Sequence, residues 1–450
     1  MMGKPRVSVH WFRRDLRLED NHGLFCALAE HGEVLPLFIF DTEILDELED
    51  KRDRRVDFLH RTLTGLRAAI EKHGGSLLIE HGKPLECWKR VLDHYEVSAV
   101  TVNHDHEPYA NTRDTSIAEL LRSHGIELRS FKDISIFERG EVLKDDGLPY
   151  TVYTPYSRKW HAQFKQTFLE PFPSAKKLSA LFKTAPLPMP SLEDIGFLPT
   201  DLDAPPLEVD DELLRKYHLT RNIPGIEGTS RMSTHLRFGT VSPRALMKRG
   251  MDVNGAYANE LIWREFFMQI LWHFPHVVTK AFKPAYDAIA WRNNEEEFAA
   301  WCEGRTGYPL VDAGMRELNA TGLMHNRVRM VVSSFLTKHL LIDWRWGEAH
   351  FAKKLLDFEL SSNNGGWQWA SGSGCDAAPY FRVFNPTLQQ EKFDPELTYV
   401  KRWVPEYGGK NYAGPIVVHE VARKRVIEAY KVALDGGRKR DERQHELFNQ

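Results

Sequence analysis

The sequence predicts an α/β N-terminal domain built on a doubly wound parallel sheet, joined by a long linker to an all-α domain. Three observations carry this expectation. Five short β-branched or aromatic runs alternate with helix-like stretches over residues 1–135. A proline-rich stretch without periodicity follows over 136–205, and from residue 206 onward strand-like alternation nearly vanishes. Repeated strand–helix units are the pattern of a parallel sheet with helices on its faces. The expected organisation is therefore an α/β domain over 1–135, a connector over 136–205, a helical domain over 206–435 and a charged tail over 436–450.

Taken in order, the predicted strands are "VSVHWF" (7–12), "EVLPLFIF" (33–40), "GSLLIEHG" (75–82), "VSAVTVN" (97–103) and "IELRSF" (126–131). Between them, "RRVDFLHRTLTGLRAAIEKHG" and "TRDTSIAELLRSHG" place apolar residues at helical spacing and end on glycine, a common helix stop. Neither the G-x-G-x-x-G fingerprint nor a P-loop marks a nucleotide site in this half. The stretch "LEPFPSAKKLSALFKTAPLPMPSLEDIGFLPTDLDAPPLE" reads as a connector running over the surface. Beyond it, "DVNGAYANELIWREFFMQILWHF", "LVDAGMRELNATG", "NRVRMVVSSFLTKHLLI" and "GEAHFAKKLLDFELSS" each fit a helix. The tail "DGGRKRDERQHELFNQ" is charged and is expected to fray.

At 450 residues, 42% hydrophobic and 27% charged, the chain has the make-up of a soluble globular protein with two or three domains. No run approaches the roughly 18 apolar residues of a membrane span. "MMGKPRVSVHWFRRD" leads directly into a strand, so no secretory signal is expected either. Cys26, Cys87, Cys302 and Cys375 are scattered without a CxxC pair. They read as reduced thiols, which sets a cytoplasmic expectation and argues against a disulfide frame or a metal site. The net charge of -3 offers an anionic partner no overall attraction, but the halves differ. Acidic against basic residues number 31 to 27 over 1–200, and 32 to 33 over 201–450, so a nucleic acid would have to meet a local basic face of the second half. Six of the 12 tryptophans fall between Trp291 and Trp369. There, "SSNNGGWQWASGSGCDAAPYFRVFNP" (361–386) sets two indoles beside paired asparagines and glycines, a composition that a core helix would not choose.

Three further motifs offer chemistry, each with a purely structural alternative. "EGTSRMSTHLRFGTVSPRAL" (227–246) puts Thr229, Ser230, Arg231 and Ser233 ahead of a helix, as a phosphate seat or as a capped N-terminus. "NELIWREFFMQIL" (259–271) aligns Glu260, Trp263, Arg264 and Phe267 on one face, as a binding stripe or as a salt-bridged amphipathic helix. "MHNRVRM" (324–330) places Asn326 and Met330 on one face, with Arg327 within reach of a phosphate and Arg329 suited to pair with Asp357. A methionine there serves equally as core filler.

Together and in this order, with "HWFRRDLRLEDN", "GYPLVDAGMREL", "NNGGWQWASGSG" and "FNPTLQQEKFDPELTYVKRWVPE", these motifs resemble the photolyase/cryptochrome flavoprotein family over nearly the whole chain. Within it the chain looks most like the class I DNA photolyases that repair cyclobutane pyrimidine dimers. The resemblance implies FAD folded into a U inside the helical domain. Tyr217, Thr229, Ser230, Arg231, Met232 and Ser233 would hold its phosphates and ribityl chain, and Arg264, Arg329, Asp357 and Glu359 would complete the cofactor site. Glu359 stands where aspartate is commoner in the family. Asn363 matches the amide facing flavin N5, which suits a reduced flavin and repair; plant cryptochromes carry aspartate there.

By the same resemblance, Trp367, Trp344 and Trp291 form an electron-hopping series from flavin to surface, and Trp263 and Trp369 wall the substrate pocket. Glu260 would hydrogen-bond the dimer, Asn326 and Met330 would contact the flipped bases, and Arg221, Arg327, Arg382 and Lys392 would contact phosphates. Photolyases are themselves among the enzymes known to extrude their target from the duplex. The implied activity is that of a carbon–carbon lyase: light drives an electron from reduced FAD to the dimer, the cyclobutane ring opens and the electron returns. The implied partner is DNA containing pyrimidine dimers, met by a monomer. The rival is a cryptochrome-type blue-light photoreceptor that binds FAD without repairing DNA. For an antenna pigment, Asp105 and Glu107 in "VNHDHEPYANTRD" resemble acids of deazaflavin- or flavin-type pockets. Ala110 stands where folate-binding members carry glutamate, so folate is not expected.

Overall fold

The computed structural model describes residues 3–448, with side chains described through Asp435. Each predicted strand forms: β1 (Arg6–Phe12), β2 (Val34–Asp41), β3 (Leu78–Gly82), β4 (Glu96–Asn103) and β5 (Leu128–Phe131). They make one parallel sheet in the order β3-β2-β1-β4-β5, with Val9 paired to Leu35 on one side and to Val100 on the other. Successive side chains point to opposite faces of a strand, so each apolar run feeds two cores. Val7, Val9 and Trp11 pack with Leu35, Leu37 and Ile39 on one side, whereas Phe12 packs with Val34, Phe38 and Phe40 on the other. The two long predicted helices are Arg54–Glu71, capped by the Asp53 carboxylate accepting from the Arg55 amide at 2.8 Å, and Pro108–Ser123, which opens on proline.

Two compact units are each drawn from several segments: Met1–Glu141, Trp160–Val209 and Arg231–Glu265 in the first, and Val142–Lys159, Asp210–Ser230 and Phe266–Gln450 in the second. The proline-rich stretch expected as a surface connector contributes core to the first. Leu178, Leu181, Leu192, Ile195 and Phe197 are buried beside β2, and the Phe182 amide donates to the Val34 carbonyl at 2.9 Å. Proline removes backbone donors and so erases periodicity, but it does not prevent side chains from packing. In the same unit Glu265 is a fully enclosed carboxyl that accepts from Trp160 Nε1 at 2.6 Å and from the Ile136 and Phe137 amides. Burial pushes its pKa up to about 7.

The second half is helical, as expected, but three of its predicted helices are broken. Asn254 separates Pro243–Val253 from Gly255–His273, and Asn326–Ser334 passes into a π-helical turn over Phe335–His339. "GEAHFAKKLLDFELSS" is two helices, Trp344–Lys354 and Leu360–Ser371, because Leu355 and Glu359 are extended, Leu356 and Asp357 form a turn between them, and long-range bonds hold that turn. The Leu356 amide donates to the Gly322 carbonyl at 2.8 Å, and Asp357 is held by Arg329. The reading that "SSNNGGWQW" avoids a core helix is also corrected: residues 360–371 are helical, with Asn363, Asn364, Trp367 and Gln368 buried. The last helix runs His419–Phe448, so the backbone of the tail expected to fray is helical to Phe448; its side chains beyond Asp435 and its last two residues lie outside the described part. Trp301, Trp344 and Trp367 share one large core of the second unit, with Trp291 packed against it. Among the described residues, no helix is long and apolar enough to cross a membrane.

Candidate functional site

The helix Leu360–Ser371 organises the second unit's polar interior. Asn363 and Trp367 lie four residues apart on its buried face, while Trp369 is half-buried on another and approaches Phe384 at 6.4 Å between ring centres. The Asn363 amide nitrogen donates to two oxygens of Glu348, the side-chain Oε1 at 2.8 Å and the backbone carbonyl at 3.2 Å. Two acceptors on one side fix which end of the amide turns there. Asn363 Oδ1 is thereby left facing away, and among the described residues no protein donor reaches it. Burial raises the pKa of Glu348 and the Asn363 bond lowers it in part.

Glycine allows the helix its close neighbours. A Cβ on Gly365 would lie 2.2 Å from the Phe267 ring, and one on Gly347 would lie 2.1 Å from Trp367 Cη2 and 2.6 Å from Leu336 Cδ2. Gly347→Ala is therefore expected to lower the unfolding free energy by about 1–3 kcal/mol through overpacking. Urea denaturation followed by tryptophan fluorescence measures this, and an unchanged midpoint would show that the Trp367 ring has room to move.

The helix Asn326–Ser334 begins at a histidine cap: the Arg327 amide donates to His325 Nδ1 at 3.1 Å. Burial, then the Arg327 and Arg329 charges, bring the His325 pKa down to about 4. A histidine with a depressed folded-state pKa stabilises fully above its unfolded value near 6.5, and that contribution is lost as pH falls toward 4. His325→Asn keeps a cap acceptor without titrating. Between pH 7 and 4 the wild type is expected to lose about 2–3 kcal/mol more unfolding free energy than this variant. Equal losses would show that His325 does not titrate against the fold. From the same helix, Arg329 Nη2 donates to both Asp357 oxygens at 3.0 and 2.9 Å, and its Nε donates to the Met324 carbonyl at 2.8 Å. The predicted pair forms, with the carboxylate side chain only 3% exposed. Glu359 sits at the N-cap of Leu360–Ser371, and its carboxylate accepts from the Ser362 hydroxyl at 2.9 Å.

Two of the four predicted phosphate contacts lie over one ring, and a third acts on one of them through its charge. The Arg327 guanidinium lies 4.4 Å and the Lys392 ammonium 5.1 Å from the centre of Phe393, and the Arg221 charge lowers the pKa of Arg327 after burial does. Asn222 Oδ1 accepts from Arg327 Nη2 at 2.6 Å, while Arg327 Nη1 is 3.3 Å from Met330 Sδ. Asn326 and Lys392 are exposed, and Tyr217 is half-buried beneath Arg221, at 5.9 Å. Arg382 is exposed on the segment after Leu360–Ser371.

Along Gly255–His273 the four residues Glu260, Trp263, Arg264 and Phe267 form the half-buried stripe of a helix whose other faces are largely buried. In the first unit Arg264 Nη1 donates to the Ile134 carbonyl at 2.6 Å, so this guanidinium anchors backbone, whatever it also does for a cofactor. At 229–233 the capped-helix alternative fails: the helix Ser233–Phe238 has Met232 at its N-cap with no side-chain cap bond. Arg231 adopts a left-handed backbone (φ 53°) and is exposed, as is Ser233; Thr229 and Ser230 are half-buried and Met232 is buried.

Trp344 and Trp367 are each 2% exposed, and Trp291 is half-buried with its edge on Tyr430. A further indole, Trp301, meets the Trp367 ring edge-on with ring centres 6.0 Å apart.

Comparison with known proteins bears on this arrangement. The model of the FAD binding domain of DNA photolyase matches residues 257–409, and that of DNA photolyase matches residues 8–176. The chain is 36% identical to a deoxyribodipyrimidine photo-lyase of Synechococcus, over 94% of this chain and 96% of that one. It belongs to the DNA photolyase family. A class III photolyase structure from Agrobacterium tumefaciens superposes on this family member with a TM-score of 0.85 at 33% identity, covering 96% of this chain and 98% of that one. An archaeal photolyase from Sulfolobus tokodaii, whose two FAD molecules are described as implying a novel light-harvesting cofactor, gives 0.78 at 33% identity over 94% and 99% of the two chains.

Family membership makes the residues missed in the sequence stand out. Glu348 and Asn222 act on Asn363 and Arg327 from 15 and 105 residues away, separations that no local pattern signals, whereas His325 caps the helix of Arg327 from two residues before it and Phe393 directly follows Lys392. The photolyase-like antenna acids are also accounted for. Asp105 and Glu107 each accept from Arg14 Nη1 at 3.0 Å, and Arg237 lies 3.5 Å from Glu107. Asp105 shares a shallow surface depression with Arg13, Arg14, Asn103 and Ile134.

Proposed function

We propose that the chain repairs cyclobutane pyrimidine dimers in DNA, using light and bound FAD, as a deoxyribodipyrimidine photo-lyase. The observation that carries this reading is the Asn363 amide. Its nitrogen is committed to Glu348, and its Oδ1 is left open on the helix that also carries Trp367 and Trp369. An open carbonyl suits an N–H donor such as reduced flavin N5–H, so the residues present fit the cofactor that the family implies. When bound, reduced FAD supplies the light-driven electron that opens the dimer.

The chain's own residues are assigned as follows. Arg329 and Asp357 form a charged pair beside the cofactor, with Glu359 next to it. Tyr217, the segment from Thr229 to Ser233, and Arg264 hold the rest of the cofactor. Trp263 and Trp369 receive the dimer between aromatic faces, Glu260 hydrogen-bonds its carbonyls, and Asn326 and Met330 meet its edge. The Arg221, Arg327 and Lys392 cluster, with Arg382, neutralises phosphates; this gives recognition that is tolerant of sequence and sensitive to salt. Trp367, Trp344 and Trp291 return the cofactor to its reduced state. The protein acts as a cytoplasmic monomer.

The test is direct. Reduced protein is incubated with thymine-dimer DNA in blue light and in the dark, and restored thymine is measured. Restoration only in the light is expected; light-independent restoration, or none, would remove the proposal.

A further inference from the structure

The segment Gly372–Asn385 links Leu360–Ser371 to the helix Pro386–Phe393 and carries Arg382 beside Phe381, which is 59% exposed. The segment is held at its start by the Tyr430 hydroxyl on the Ser371 carbonyl (2.7 Å) and by the Lys283 amide on the Ser373 carbonyl (3.0 Å). Farther along, Tyr380 stacks on Tyr430 with ring centres 5.8 Å apart. At Arg382 itself the tether is a side chain: Lys338 Nζ donates to the Arg382 carbonyl at 2.9 Å. Lys338 lies in the π-helical turn Phe335–His339 and is 2% exposed, and among the described residues it forms no ion pair. Enclosing an ammonium for one amide carbonyl costs more than the bond returns. An apolar side chain of similar length would fill the space at lower cost, so packing does not account for this lysine.

We propose that Lys338 is a positioning residue for DNA binding: its ammonium fixes the backbone of Arg382 and places a positive charge directly beneath the segment that meets the phosphates. This rests on the repair reading above. The titratable and charged side chains around the turn are His339 within it, His419, Arg425 and Tyr430 on the last helix, and Arg382 on the segment. Burial, and then repulsion from Arg382, bring the Lys338 pKa down to about 8. A phosphate paired with Arg382 offsets that repulsion and favours the protonated lysine. Affinity for DNA therefore falls as pH rises through the lysine's titration.

The experiment measures fluorescence anisotropy of a thymine-dimer duplex against FAD-loaded wild type and Lys338→Met at pH 7 and pH 9.5. Wild-type Kd is expected to rise about tenfold between the two, and Lys338→Met to be about tenfold weaker at pH 7 and nearly flat with pH. Flavin absorbance and the thermal midpoint report whether the variant is folded. If it is not, Arg382→Ala takes its place and is expected to flatten the wild-type profile. A wild-type Kd independent of pH, or a folded Lys338→Met with the wild-type profile, overturns the proposal. Light-driven repair with pH-independent affinity would overturn this inference alone. A protein that neither binds nor repairs dimers would overturn the repair reading as well.

Discussion

Trp369→Ala is expected to weaken binding of dimer-containing DNA about 10- to 100-fold while FAD stays bound, because base–aromatic stacking contributes about 1–3 kcal/mol per base. Trp369 is the half-buried indole of its helix, and its ring is not what seats the helix in the core. Gln368 does that: its Oε1 accepts from the Phe282 amide at 2.8 Å, and its Nε2 donates to the Val277 carbonyl at 2.9 Å. Asn363, committed to Glu348, and Trp367, packed on Phe351 at 5.0 Å, remain in place when Trp369 is truncated. The variant should therefore keep its yellow colour and lose its ligand. Anisotropy titration beside an absorbance spectrum checks both, and a variant that releases FAD or binds dimer DNA normally contradicts the assignment.

Trp344→Phe is expected to cut photoreduction of oxidised FAD at least tenfold yet leave repair by pre-reduced protein intact, since a benzene ring packs in place of an indole but is far harder to oxidise. Trp344 is 2% exposed, within the core that holds Trp367, and the Arg345 guanidinium lies 4.7 Å from its ring. Steady illumination with an external reductant, read by loss of the oxidised-flavin band, measures the first effect; restored thymine after chemical reduction measures the second. Trp301→Phe is the informative companion, because that ring touches Trp367. Photoreduction lost in Trp301→Phe and kept in Trp344→Phe would route the electron through Trp301 instead.

The sheet was legible because a buried parallel strand needs a continuous apolar run and its crossover helix needs a 3.6-residue period; all five runs and both long helices form. Local patterns failed where tertiary bonds decide. Residues 355–359 carry helical periodicity, but Gly322 and Arg329 draw their backbone and carboxylate out of helix. "SSNNGGWQW" carries helix-breaking composition yet is helical, because Gly365 meets Phe267 and the amides find partners across the core. At the site, one pairing of residue types was readable, Asp357 with Arg329. Other partners were not. Glu348 reaches Asn363 from 15 residues away, and Asn222 reaches Arg327 from 105, distances over which no periodicity speaks.

The central claim is that light moves an electron from reduced FAD in the helical unit to a dimer in DNA. Time-resolved absorption of the reduced protein tests it most directly, by comparing the excited-state lifetime of the flavin with dimer-containing and with undamaged DNA of the same sequence. A lifetime shortened only by the dimer, with thymine recovered in step, is the predicted result. Identical lifetimes with both DNAs, at concentrations where the dimer duplex is bound, would contradict it.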